Sequence, residues 1–174
     1  MPEVTPDATL IIATSWQALS RAETGDERAS ICNCTVIIVF AAFFIEANLN
    51  HFIDKAGARG MRPAPTDFDG LHAKLAWVYN SFIADNPVTS ADELANRLEE
   101  AFPGIQAIRT FRNGVSHGVI DRFVANLAEA RRLRLAAKNI VDRLLAVARQ
   151  NNIDIQRGIE YEMAIHSSDA GAAA

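Results

Sequence analysis

Cysteine is scarce in this chain, and its scarcity limits the kinds of site that the sequence can build. Only two of the 174 residues are cysteines, Cys32 and Cys34, and both lie in an apolar segment. On a helix, residues two positions apart point about 200° away from each other, so these thiols are badly placed to share a metal ion or a disulfide. The sequence therefore argues against a cysteine-based zinc site or a disulfide scaffold, and we expect two buried thiols in a reducing compartment.

A long hydrophobic run and a cationic N-terminal leader are also lacking. The most hydrophobic stretch, residues 36–45, contains ten residues without a polar side chain, whereas a membrane-spanning helix needs about 20. We interpret this stretch as part of a helix that is buried on all sides in a helical core. Residues 1–7, Met-Pro-Glu-Val-Thr-Pro-Asp, do not resemble a signal peptide. The sequence thus predicts a cytoplasmic protein that does not bind a membrane.

An overall excess of positive charge is absent, because 21 Asp and Glu outnumber 17 Lys and Arg and the net charge is −4. This balance argues against a protein that coats nucleic acid through bulk electrostatics. The charges are unevenly distributed, however: residues 105–149 contain nine Lys or Arg and three Asp or Glu, a net charge of +6. That segment is suited to binding phosphate. Alternatively, the basic residues between 131 and 138 are only the solvated face of one long helix.

Prolines and glycines are few, six and nine respectively, and they separate segments with helical periodicity. Strand-like alternation is scarce, and there is no internal repeat, P-loop or dinucleotide-binding glycine pattern. We predict an all-α, single-domain bundle of about five to six helices over residues 1–166, with a frayed tail at 167–174. The fourth helix starts with the capping box Ser90-Ala-Asp-Glu93. The predicted helices are 6–19, 27–55, 68–84, 91–102, 105–117 and 121–150.

The residues most suited to chemistry lie in the segment Arg112-Asn-Gly-Val-Ser-His117. The guanidinium of Arg112 is always charged and can hold a phosphate, and the imidazole of His117 titrates near neutral pH and can move a proton. These two tasks suffice for RNA cleavage by internal transesterification, and no metal ion or cofactor is required. Asn113 lies four positions before His117 and can orient its ring. Ser116, four positions after Arg112, is a candidate for substrate binding beside the guanidinium.

This motif and its position resemble those of the HEPN superfamily. There, an Arg-x4–6-His motif, often with Asn after the Arg, ends a short helix just before the last long helix of a bundle. Residues 109–118, followed by the predicted helix 121–150, fit this arrangement. An earlier segment, Phe44-Ile-Glu46-Ala-x-Leu-Asn50, also resembles several HEPN families. The resemblance implies a HEPN-like four-helix core within the bundle.

The resemblance also implies an activity, that of a metal-independent endoribonuclease of the toxin or phage-defence type. Its substrate would be RNA, and two copies would form a homodimer with both motifs in one cleft. Arg112 would stabilise the phosphate, His117 would act as base or acid, and Asn113 would orient the site. An antitoxin or a regulatory protein is a possible further partner. The toxin branch that pairs with a nucleotidyltransferase antitoxin has Tyr where this chain has Val119, so that branch is not expected.

Three more residues are candidates for binding substrate near the motif. Glu46 and Asn50 lie one turn apart in an otherwise apolar segment. They either meet the motif helix and orient Arg112, or they hydrogen-bond helix ends or lie on a dimer surface. Arg109 lies one turn before Arg112 and either widens the phosphate site or is a solvated surface charge.

Two other functions are compatible with the same residues. A non-catalytic HEPN-like module would bind a nucleotide, RNA or protein partner in the same groove. In a plain helical bundle, Arg112 and His117 would be structural, and replacing both would lower stability. Metal-independent RNA cleavage separates the nuclease from both alternatives.

Overall fold

Five α-helices make up the part of the chain that the computed structural model describes, which is residues 18, 21–22, 27–60, 70–116 and 126–155. The helices are α1 (Glu27–Gly57), α2 (Leu71–Val78, continued by a π-helical turn at Tyr79–Ile83), α3 (Ala91–Ala101), α4 (Ile105–Ser116) and α5 (Leu127–Gln150). No strand occurs among these residues. The predicted all-α class is confirmed, and the described helices form a single domain.

Two helix starts show how local capping sets the boundaries. Ser90 caps α3 as predicted, since its Oγ accepts the N–H of Glu93 at 3.5 Å. The last helix begins at Leu127. The prediction of a continuous helix from residue 121 is therefore wrong at Asn126. This residue is extended (φ −114°, ψ 164°), and its side chain accepts the N–H of Glu129 at 2.9 Å. Asn126 is therefore an N-cap, which lies outside the regular helix.

The long helix α1 is the centre of the fold, and it packs most extensively against α5 and next against α4. Its buried side chains recur every three or four positions, as expected for one helix face against a core. The prediction that this helix is buried on all sides is wrong, because Val36 and Phe43 are 36% and 41% exposed. Only one of the two cysteines is buried as expected: Cys34 is buried and Cys32 is exposed. The neighbouring helices cover one side of α1, whereas the exposed residues Cys32, Val36 and Phe43 lie on another side.

Part of α1, Cys32–Gly57, is long and apolar enough to cross a membrane when only length and composition are considered. This segment of 26 residues is much longer than the apolar run of ten on which the sequence prediction relied. In the structure 44% of its most apolar window is buried, and both a core helix of a soluble protein and a signal sequence pass the same test. The cellular location of the protein stays a prediction.

The predicted helix at 6–19 lies almost entirely outside the described residues, and the predicted tail at 167–174 lies wholly outside them.

The turn between α3 and α4 fixes the start of the helix that carries the motif. The Glu99 carboxylate accepts the N–H groups of Gly104 at 2.7 Å and Gln106 at 3.0 Å, which satisfies two donors that a helix start leaves unpaired. Gly104 has φ +90°, and a Cβ atom there would lie 2.8 Å from the Cβ of Ala136 on α5. Glycine is required at this position because its backbone has a left-handed conformation and because a side chain would clash with α5.

Candidate functional site

Arg112 lies near the C-terminal end of α4, where this helix meets α1. Its Nη2 is 3.7 Å from Oε2 of Glu46 on α1, and its Nη1 donates a hydrogen bond to Oδ1 of Asn113 at 3.4 Å. Both contacts are long, and the side chains of Arg112 and Glu46 are 34% and 22% exposed. The guanidinium is therefore held on one side by acceptors of the protein while solvent still reaches it.

The partner that the sequence predicts for Arg112 lies beyond the described part of α4. The helix ends at Ser116, whose side chain is outside the description, and His117 lies outside the described residues. The distance from Arg112 to His117 and the expected hydrogen bond from Asn113 to His117 therefore stay predictions. What the structure does show is that Asn113 is exposed and accepts a hydrogen bond from Arg112.

Asn50 has a different partner from the one considered at the sequence level. Its Oδ1 accepts a hydrogen bond from Nζ of Lys74 on α2 at 2.7 Å. Lys74 is 1% exposed, so this bond lies inside the protein and helps to compensate a buried ammonium group. Asn50 thus contacts α2, whereas Glu46 contacts the motif helix α4.

Lys74 was missed by reasoning from the sequence, although the sequence contains a signal for it. Within α2, Leu71, Lys74, Leu75 and Val78 occupy the positions i, i+3, i+4 and i+7, which form one face of a helix, and all four are buried. A lysine on such a face is either exposed at its edge or paired inside the protein.

Glu46 and Asn50 form a polar row, one turn apart on α1. This row contacts cations from two helices, Arg112 of α4 and Lys74 of α2.

Arg109, the other arginine on this side of α4, lies in different surroundings. It lines a small pocket, open to solvent, with His72 of α2 and Gln106 at the start of α4. Burial and the nearby Arg109 guanidinium lower the pKa of His72 below its ordinary value. His72 had no assigned role in the sequence, and no spacing rule links it to Arg109, since the two residues meet only through the packing of α2 near α4.

The basic residues of α5 bear on the alternative of a solvated helix face. Arg132 forms two hydrogen bonds to Glu129, at 2.8 and 2.7 Å, and Lys138 forms one to Asp142 at 3.0 Å. These are pairs at i,i+3 and i,i+4 along one helix, which contribute a few tenths of a kcal/mol each. The positive charge of these two residues is thus balanced within α5, whereas Arg109 and Arg112 lie on α4.

No group of three or more His, Cys, Asp or Glu that could hold a metal ion occurs in the part of the chain that is described. Comparison with protein-family models, with curated proteins and with solved structures found no match to this chain. The similarity to HEPN proteins therefore stays a prediction that rests on the motif and its surroundings.

Proposed function

We propose that this protein is a metal-independent endoribonuclease that cleaves RNA at the C-terminal end of α4. The observation that best supports this proposal is the placement of Arg112, which Glu46 and Asn113 hold while its side chain stays partly exposed. A cation that is oriented by acceptors of the protein and is open to solvent is suited to binding a phosphodiester. The net charge of +6 in residues 105–149 gives further support.

In the proposed reaction, the scissile phosphate accepts hydrogen bonds from Arg112 in place of the long contact with Glu46. His117 takes the proton of the 2′-hydroxyl, and the 2′-oxygen then attacks phosphorus. The bond from phosphorus to the 5′-oxygen breaks, and His117 returns the proton to that leaving oxygen. The products are a 2′,3′-cyclic phosphate and a 5′-hydroxyl. Arg112 acts chiefly in the transition state, when the phosphorane carries two negative charges.

The proposal includes a homodimer in which two copies of the motif line one cleft. One Arg112 beside one His117 offers few contacts to an RNA strand, and a second copy would double them. The two facing arginines would repel each other, and an anionic substrate would relieve this repulsion.

The test is cleavage of mixed RNA by purified protein in EDTA, with His117→Ala and Arg112→Gln beside the wild type. Arg97→Gln is the matched control, because Arg97 is an exposed arginine of α3 whose partners, Glu93 and Glu100, lie on the same helix. We expect cleavage by the wild type and by the control. Each motif variant should lose at least about 100-fold in rate, the usual effect of removing a proton-transfer group or a transition-state donor.

Two outcomes would contradict the proposal. Equal cleavage by the wild type and His117→Ala would place the activity elsewhere. RNA binding without cleavage by the wild type would instead support the non-catalytic module. For the toxin or defence type of function, growth arrest on overexpression should depend on His117 in the same way.

A further inference from the structure

The exposed residues of α5 lie on one side of this helix, which we call its outer face. At about 100° per residue they fall within an arc of about 120° around the helix axis, and they include Arg131, Leu135, Asn139, Arg143 and Arg149. The buried residues of α5, which belong to the core that α5 shares with α1, are centred on the opposite side. The outer face is thus a continuous strip of surface, and from Arg131 to Arg149 it is about 27 Å long.

The charge of this strip is predominantly positive. Helix α5 contains six Lys or Arg and two Asp or Glu, a net charge of +4, in a chain whose net charge is −4. The two acidic residues, Glu129 and Asp142, are only partly exposed, and each already pairs with a cation of the same helix. The fully exposed charged residues of the helix are all arginines: Arg131, Arg132, Arg143 and Arg149.

One edge of the outer face adjoins α4, the helix that carries Arg112. Gly104 at the start of α4 lies so close to Ala136 of α5 that a Cβ atom on it would be 2.8 Å from the Cβ of Ala136. Ala136, Arg132 and Arg143 fall within about 40° of one another around α5. Arg132 and Arg143 therefore lie along the edge of α5 that meets α4. From this contact α4 continues to Arg112, a rise of about 12 Å.

The composition of the outer face favours a nucleic acid strand over a protein or a lipid surface. Leu135 is the only large apolar residue exposed on α5, and the helix contains no aromatic residue. The core of a protein interface is usually apolar and rich in aromatic side chains, and a helix that lies on a membrane needs a broad apolar face. A nucleic acid strand needs neither, because its phosphates bind to cations. Arginine is well suited to this task, since it binds phosphate through two hydrogen bonds and also stacks on bases.

We propose that the outer face of α5 binds the backbone of the RNA strand beyond the nucleotides at the cleavage site, through Arg131, Arg143 and Arg149. The identity of the ligand as RNA rests on the proposed function, whereas the basic strip is a feature of α5 itself. Arg131 and Arg149 lie along one edge of the strip and Arg143 lies along the other, so the strand runs between them. Arg132 contributes less, because it already forms two hydrogen bonds to Glu129.

The test measures binding of a single-stranded RNA of about 16 nucleotides, made uncleavable by 2′-O-methylation, by fluorescence anisotropy over a range of sodium chloride concentrations. The variants are Arg143→Gln and a triple variant with Arg131→Gln, Arg143→Gln and Arg149→Gln. Arg97→Gln is the matched control, because it removes one exposed arginine from the acidic helix α3. Thermal unfolding checks that every variant keeps the Tm of the wild type within a few degrees, as expected for exposed side chains.

We expect Arg143→Gln to weaken binding about fivefold and the triple variant to weaken it by more than about tenfold. Each lost phosphate contact should also reduce the slope of the logarithm of the association constant against that of the salt concentration by about 0.7, so the triple variant should reduce it by about 2. The control should change neither quantity.

Two results would overturn the proposal. The first is a triple variant that binds RNA within about twofold of the wild type, which would make an acidic protein the better candidate for the outer face. The second is an Arg97→Gln control that weakens binding as much as Arg143→Gln does, since bulk charge would then be responsible.

Cleavage kinetics separate this surface from the nuclease activity. With unmodified RNA of the same length, the triple variant should raise KM by at least about tenfold with little effect on kcat, because these arginines bind substrate and transition state equally. If RNA binding depends on the outer face while the wild type never cleaves RNA, the proposed function fails and the binding surface stands. If the wild type cleaves RNA and the triple variant has the same affinity and KM, the nuclease stands and α5 is not part of its substrate site.

Discussion

Replacing Glu46 by Gln should distinguish the functional role of the contact between Glu46 and Arg112 from its structural role. The nearest charged atoms are 3.7 Å apart, and solvent reaches both side chains. At this distance two unit charges attract by about 1 kcal/mol in water and by about 4 kcal/mol at an effective dielectric constant of about 20. The lower figure applies here, since partly exposed pairs contribute about 1 kcal/mol or less. We therefore expect Glu46→Gln to lower the Tm by no more than about 4 °C.

The same substitution should change the interaction with RNA in two opposite ways. It removes a carboxylate that competes with the phosphate for Arg112, so affinity for RNA should rise, by about fivefold for 1 kcal/mol. It also replaces the carboxylate that orients the guanidinium by a neutral amide oxygen, which is a weaker acceptor, so kcat should fall. Anisotropy with 2′-O-methylated RNA measures the first effect, and single-turnover cleavage of unmodified RNA measures the second.

Glu100→Gln is the matched control, because it changes the net charge equally at an exposed carboxylate of α3 that pairs with Arg97. An equal gain in affinity in this control would mean that bulk charge is responsible. Weaker binding of RNA by Glu46→Gln would refute the reasoning, since Glu46 would then contact the substrate itself. A fall in Tm well beyond 4 °C would show that the pair is mainly structural.

Three further predictions concern the elements that position the site. Gly104→Ala should destabilise the fold by about 2 kcal/mol or more in urea denaturation, because it combines a positive φ with a clash against Ala136; adding Ala136→Gly should recover only the part due to the clash. Asn50→Ala should cost about 2 kcal/mol, because it removes an acceptor from the buried Lys74 ammonium; the loss should shrink when Lys74→Met is added, and equal losses would contradict a direct interaction. In the wild type, the folded state lowers the pKa of His72, so the unfolded chain binds more protons at this residue and stability falls as the pH drops below 6.5. His72→Gln should make this fall in stability smaller. An unchanged pH dependence of the urea midpoint would contradict this prediction.

The helices could be predicted from the sequence wherever their signals are local. The capping box at Ser90 gave the start of α3, and the helical pattern of residues 27–55 corresponds to α1 (Glu27–Gly57). The N-cap at Asn126 was missed, although Asn126 and Glu129 have the same spacing as a capping box. The helical periodicity of the sequence continues through Asn126 and predicts an earlier start. The hydrogen bond from the N–H of Glu129 to the Asn126 side chain instead sets the start of the helix at Leu127.

The surroundings of the site could be predicted only where they depend on neighbours along one helix. The sequence placed Arg109 one turn before Arg112. It could not show that His72 lies near Arg109, or that Glu46 lies near Arg112. Those contacts depend on how α1 and α2 pack around α4. The buried position of Lys74 was also unexpected, because lysine on an apolar helix face usually reaches solvent.

The most direct test of the central claim is whether cleavage requires the 2′-hydroxyl of the nucleotide before the cut. The wild-type protein in EDTA is given an RNA oligonucleotide and the same sequence with a single 2′-deoxy residue at the mapped cleavage position, and the product ends are identified by mass spectrometry. The account predicts that the RNA yields a 2′,3′-cyclic phosphate in a reaction that requires Arg112 and His117. It also predicts no cleavage by the wild type at the deoxy position. Cleavage at the deoxy position, or a product with a 5′-phosphate, would contradict internal transesterification and with it the assigned roles of these two residues.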